Sequence, residues 1–359
     1  MFMKRKRKPV AMPELKSHWR ADVGEYVRAV AFEKTGRVLA VATAGTAIPL
    51  IDVASGRRVR DLSGHANGVT ALSWHPDGRR LASTGHDGHV RVWDTTTGTL
   101  LWASACGVAW VERCVFRTDG KLLAVAAGRT VRLYSPDGVL QRELVGHPST
   151  VADICWRPDR NELLVARYGG LHVWNPDKSD PVQTLNYRGS VLQIAISPTG
   201  KFVATADQNS TVHFWRTRDW NHAEMSGYTH IVTTLSWDST GRYLATDGGI
   251  NAIVWDCSEP GPEGRMPIFL KGESDILTRC VAFAPDRPVC TTGNEAGVVS
   301  VHDVEGNTLQ AVSPLESGIT TLLWGTAATG LICGNSTGSV ECFVPSGKVT
   351  ASALVKPVV

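Results

Sequence analysis

The sequence predicts an all-β fold: one closed ring of small antiparallel sheets, each made from a copy of the same unit. Three observations predict it. The unit recurs eight times at spacings of 40 to 45 residues, the mark of repeats that bury their faces against one another. Apolar and polar residues alternate within each copy with the period of a half-buried strand. Turn-forming residues separate the segments at fixed places, with Pro to set φ and Gly to accept φ > 0.

The innermost strand of each copy begins at Val27, Val69, Val111, Val151, Val191, Val232, Leu277 or Ile319. It closes on Phe32, Trp74, Phe116, Trp156, Ile196, Trp237, Phe283 or Trp324, which this regularity marks as core. Turns such as Pro76-Asp77-Gly78 and Pro198-Thr199-Gly200 lead into a second strand of small residues. The third strand carries Ile51, Trp93, Tyr134, Trp174, Trp215, Trp255, His302 or Phe343 at one register. Connecting segments 58–62, 100–104, 140–144, 182–187, 220–225, 267–271 and 308–312 supply a fourth, outer strand to seven of the eight units. Two segments qualify for the remaining one: 15–18, an echo of 62–65, or 349–354, which follows a turn, Ser346-Gly347-Lys348, like Ser55-Gly56-Arg57. Closure by a strand at either end would remove the exposed sheet edges.

The dipeptides Trp93-Asp94 and Trp255-Asp256, set in this repeat, give the chain its resemblance to the WD-repeat (WD40) β-propeller family over roughly residues 14–355. The resemblance implies a single β-propeller of four-stranded blades. The count of units favours eight blades, with seven, the common number in the family, as the alternative. It also implies a buried set of four hydrogen-bonded side chains in the second copy: His65, Ser83, Asp87 and Trp93. A buried carboxylate needs donors, which imidazole and hydroxyl provide, while the indole N–H needs an acceptor. The fourth copy keeps His147 and Trp174, with Leu164 and Tyr168 where hydroxyl and acid would stand. The fifth has Thr205, Asn209 and Trp215. His18 and His230 are candidates to replace missing histidines.

Of the 359 residues, 43% are hydrophobic, and the formal net charge is +3. Lys4-Arg5-Lys6-Arg7-Lys8 holds five positive charges, so the remainder carries about −2. A ring of that charge argues against a nucleic-acid groove. Residues 1–12 read as a disordered basic tail and 13–359 as one propeller domain. The tail has two further readings, a nuclear-import patch in a eukaryotic source or an arm for an anionic partner. No secretory signal and no membrane-spanning run are recognisable. The eight cysteines lie apart without a CxxC pair and read as small buried hydrophobes in a reducing, cytoplasmic setting.

No phosphate loop, nucleophile elbow, HExxH pair or EF-hand loop occurs, and no catalytic residue, metal or cofactor is assigned. His86-Asp87-Gly88-His89 is the densest group of potential ligands, but Asp87 belongs to the hydrogen-bonded set. His302 reads as a packed core histidine. The resemblance implies instead a non-catalytic scaffold that binds proteins or peptides, a monomer within a hetero-complex. Its docking surface would be the loops at one end of the channel. Aromatic and Arg side chains there are apt anchors: Trp110, Glu112, Tyr26, His86, Tyr168, Arg167, Tyr187, Arg188, Tyr228 and Glu295. Trp110 is the sharpest choice, since core packing does not require a large aromatic just before a first strand. The alternatives are a propeller hydrolase or dehydrogenase with its site in the channel, and a sensor of a small molecule or metal.

Overall fold

The computed structural model describes residues 14–272, 275–304, 307–312, 315–325 and 330–346. Every regular element in it is a strand. The second unit shows the plan: Val69–Trp74, Arg80–Gly85, His89–Asp94 and Thr99–Ala105 pair in sequence order, each antiparallel to the next. Short turns join neighbouring strands, so meanders of this kind fold from local contacts.

Hydrogen bonding joins the strands into seven sheets, six of four strands and one of six. The preference for eight separate blades is thereby corrected to the alternative of seven, counted by continuous pairing. The reason is local, because all eight repeat units are present and two of them are fused. Gln183–Ile196 runs unbroken from the outer strand of the fourth unit to the inner strand of the fifth. Leu163–Trp174 holds the second and third strands of the fourth unit in one run, doubling back at Gly169 and Gly170, whose φ angles are 84° and 118°.

The ring closes through the N-terminal segment. Leu15–Asp22 pairs antiparallel with Ser339–Pro345 as the outer strand of the eighth unit. This is longer than the predicted 15–18, and the competing segment 349–354 lies outside the described residues. Gln310 fastens its start, donating to the Leu15 carbonyl at 2.9 Å and accepting from the Leu15 N–H at 2.7 Å. Trp19 is buried, donates from Nε1 to the Val53 carbonyl of the first unit at 2.6 Å, and packs over Gly56. Gly56 has φ 70°, and a Cβ there would lie 2.6 Å from the indole. On the channel side Thr320 donates to the Val27 carbonyl at 2.7 Å, so closure is stapled inside and out.

The bulky residues that end the inner strands do more than fill the core. Trp74, Trp156 and Trp237 donate from Nε1 to the Ala31, Val115 and Ala195 carbonyls of the preceding unit at 3.0, 3.1 and 3.1 Å. Each is a clasp between neighbouring blades, placed where an indole can bury its body and still satisfy its N–H. Inner strands also carry a bulge at one register, between Val27 and Ala29, Val69 and Ala71, Val111 and Arg113, Val191 and Gln193, Thr278 and Cys280, and Ile319 and Thr321. An extra residue there bends the strand and aims a side chain at the channel mouth. Arg28, Thr70, Glu112, Leu192, Arg279 and Thr320 occupy these positions.

Candidate functional site

In the second unit the four predicted side chains form one network. Trp93 Nε1 donates to Ser83 Oγ at 2.8 Å, and Ser83 Oγ lies 2.8 Å from His65 Nε2. His65 Nδ1 is 3.0 Å from Asp87 Oδ1, which fits a tautomer protonated at Nδ1. Asp87 also accepts from the Ala66 N–H at 3.0 Å and from Arg91 Nη1 at 2.7 Å. Burial opposes ionisation of Asp87, but its bonds to His65 and Ala66 and the Arg91 charge bring its pKa down to about 2. Burial in turn lowers His65, against the pull of Asp87. Gly85 makes room for the set, since a Cβ there would come within 2.4 Å of His65 Nδ1.

The histidine lies four residues before its strand, and the same count finds the equivalents elsewhere: His147, Tyr187 and Tyr228. Tyr228 OH accepts from Trp255 Nε1 at 2.8 Å and bonds Thr246 Oγ1 at 3.0 Å. Tyr187 OH donates to Asp207 at 2.8 Å, and its ring lies 3.8 Å from that of His213. Both tyrosines are candidates to meet a partner, and each, half-buried, also fills the histidine's place in its own blade. His230, by contrast, is exposed and bonded to Thr229, and His18 reaches the Ala54 carbonyl.

Register also corrects the decayed set of the fourth unit. Trp156 pairs with Leu163 as Trp74 pairs with Leu81, so Val165, not Leu164, stands in Ser83's place. In the fifth unit Asn209 stands at Asp87's register, as expected, and donates to Tyr187 OH at 3.3 Å, while the acid that accepts from Tyr187 is Asp207, at the register of Gly85. Trp215 donates to Thr205 at 3.1 Å as expected from its register. His302 is fully buried beside Thr292.

Starts of first strands and ends of second strands lie at one end of the ring, and the remaining candidates sit on that rim. Trp110 is 61% exposed, with its ring 5.8 Å from that of His86. Tyr168 is 55% and Tyr26 45% exposed. Glu112 is half-buried on its bulge, and Arg188 is exposed. Arg167, however, is buried, folded back against its own loop. Tyr26 and Glu295 line a depression of about 620 Å³ together with Thr233, Arg279 and Thr320. Arg279 Nε donates to Glu295 at 2.7 Å across it. Sequence reasoning missed Arg279 and Thr320; the bulge that exposes them has no mark in the sequence.

Among the described residues no three His, Cys, Asp or Glu side chains converge to hold a metal ion. No disulfide joins the cysteines among the described residues, and most of them are buried. Burial pushes the Cys114 and Cys155 thiols up to about 12, so neither presents a thiolate nucleophile near neutrality.

The family model described as "WD domain, G-beta repeat" matches residues 56–94, 138–175 and 179–216. The chain is 24% identical over 256 residues to rat (Rattus norvegicus) "Telomerase protein component 1", covering 67% of this chain and 10% of that protein. It is 25% identical over 259 residues to "Protein HIR1" of Cryptococcus neoformans, covering 60% and 29%. It is 28% identical over 249 residues to "Anaphase-promoting complex subunit cdc20" of Dictyostelium discoideum, covering 54% and 49%. The chain thus spans a tenth to a half of the length of these relatives. The computationally designed Ika8 protein superposes with a TM-score of 0.75 at 20% identity, over 93% of this chain and all of that one, a likeness of fold alone.

Proposed function

Since the chain belongs to the WD-repeat β-propeller family, we propose that it is a non-catalytic scaffold that binds proteins or peptides through the loop rim around its channel. The observation that carries this reading is the set of large side chains held out from that rim on rigid blades, with Trp110, Tyr168 and Tyr26 foremost. Such residues bury much area with few rotors, and a rim fixed by its sheets loses little entropy on docking. The relatives' names support it in kind, since one is a subunit of the anaphase-promoting complex. In this reading residues 13–359 are the platform, 1–12 a tail beside it, and the protein one subunit of a hetero-complex in the cytoplasm. The tail would be a nuclear address in a eukaryotic source.

The test is the double variant Trp110→Ala, Tyr168→Ala. Both side chains are more than half exposed, so its melting temperature should stay within about 2 °C of the native value. Capture of the native partner should fall at least tenfold. A double variant that unfolds would assign the pair to the core, and one that captures as well as the native protein would move the site elsewhere.

A further inference from the structure

The fourth unit has lost the carboxylate around which the second is organised and has gained a buried positive charge two positions before that carboxylate's place. In the second unit Asp87 gathers His65 and Arg91. By register, His147 and His172 stand in the fourth unit where His65 and Arg91 stand in the second, and Arg167 stands at Gly85. The loop that would bring the acid is one residue shorter. His147 Nδ1 and His172 Nδ1 face each other at 3.2 Å, and the Trp174 ring packs against both.

Arg167 is only 6% exposed, and its guanidinium touches only neutral groups, the Tyr168 carbonyl at 2.8 Å and Asn186 Oδ1 at 3.1 Å. Its Nε is buried without a hydrogen-bond partner, as are His147 Nε2 and Trp174 Nε1. Among the described residues no carboxylate pairs with Arg167, His147 or His172. A buried guanidinium in this state is costly, and an anion would relieve it. Half-exposed Gly169 lies directly over Arg167 Nη1, where a Cβ would come within 2.8 Å. The exposed Arg129, bonded by Nε to the His147 carbonyl at 3.0 Å, adds a second guanidinium beside the His147 segment.

We propose that the fourth unit is a carboxylate-binding site, in which an Asp or Glu side chain of an acidic partner peptide enters beside Gly169 and pairs with Arg167. The partner would thereby supply the acid that the second unit carries as Asp87. This rests on the docking reading above and gives it one contact of defined chemistry.

The probe is fluorescein-labelled hexaglutamate, titrated at low salt and read by anisotropy, with the His147 and His172 ring resonances followed in parallel. The native protein should bind it, with both histidine signals shifting. Arg167→Leu and Arg167→Gly, the second copying Gly85, should bind at least tenfold more weakly while melting no lower than the native protein. Arg218→Leu, on an exposed arginine in a turn between outer strands, should bind as the native protein does. Equal binding by the Arg167 variants, or histidine signals that stay still while the peptide binds, would overturn the proposal. So would inorganic phosphate that displaces the peptide at equal anion concentration, which would assign the site to a free ion. Because this titration needs no native partner, its failure is distinguishable from failure of capture in the Trp110, Tyr168 variant.

Discussion

Trp174 and His147 lie with ring centroids 5.8 Å apart and no hydroxyl between them, whereas Ser83 links Trp93 to His65. Val165 holds the linking position and leaves Trp174 Nε1 and His147 Nε2 unbonded. Burial, with His172 and Arg167 alongside, keeps His147 neutral, with its pKa down at about 4, so its Nε2 can accept a hydrogen bond from a hydroxyl. Val165→Thr, nearly isosteric, should therefore raise stability by about 1 kcal/mol, a typical net gain for a hydrogen bond. Denaturant unfolding measures it, and a loss of similar size would mean that the hydroxyl is buried unpaired. The tetrad of the second unit was legible because all four residue types are present at the family's spacing. The structural role of Tyr187 and Tyr228 was missed because their chemistry, a large ring with a hydroxyl, is also that of an interface anchor. Counting four residues back from Val191 and Val232 separates the two meanings.

At the scale of elements, strand starts, polar turns and outer strands were legible from alternation and turn chemistry. The fusion of the fourth and fifth units was not. It depends on Gln183–Ile196 staying extended through the corner between blades, with Gly189 at φ 144°, and local pattern carries no record of whether pairing continues there. Closure was legible only as a choice between two termini, since 15–18 and 349–354 have equal strand character. Long-range pairing with Ser339–Pro345 settles it. The closing strand depends on Trp19, which is buried and bonded across the seam to Val53. Trp19→Ala should cost about 3 to 5 kcal/mol by loss of transfer energy and the cavity left over Gly56. Trp110→Ala, equal in chemistry but exposed, is the control. If both lower stability equally in denaturant unfolding, the seam is not held by this strand.

For the molecule as a whole, the repeat accounts for the ring, and departures from it mark the rim. Legibility of the rim was partial for a physical reason: sequence shows which loop a side chain belongs to, not whether it turns inward. Trp110 and Tyr168 point out and Arg167 points in, though all three were candidate anchors in the sequence, Trp110 the sharpest. The central claim is that one end of the ring, the end of Trp110, Tyr168 and Tyr26, is the docking surface. Hydrogen exchange by mass spectrometry on the captured complex tests it most directly. The account predicts slowed exchange in the loops around residues 106–110, 167–170 and 24–26, with the opposite turns at 76–78, 118–120 and 198–200 unchanged. Protection of those opposite turns, with the Trp110 and Tyr168 loops exchanging as in the free protein, would contradict it.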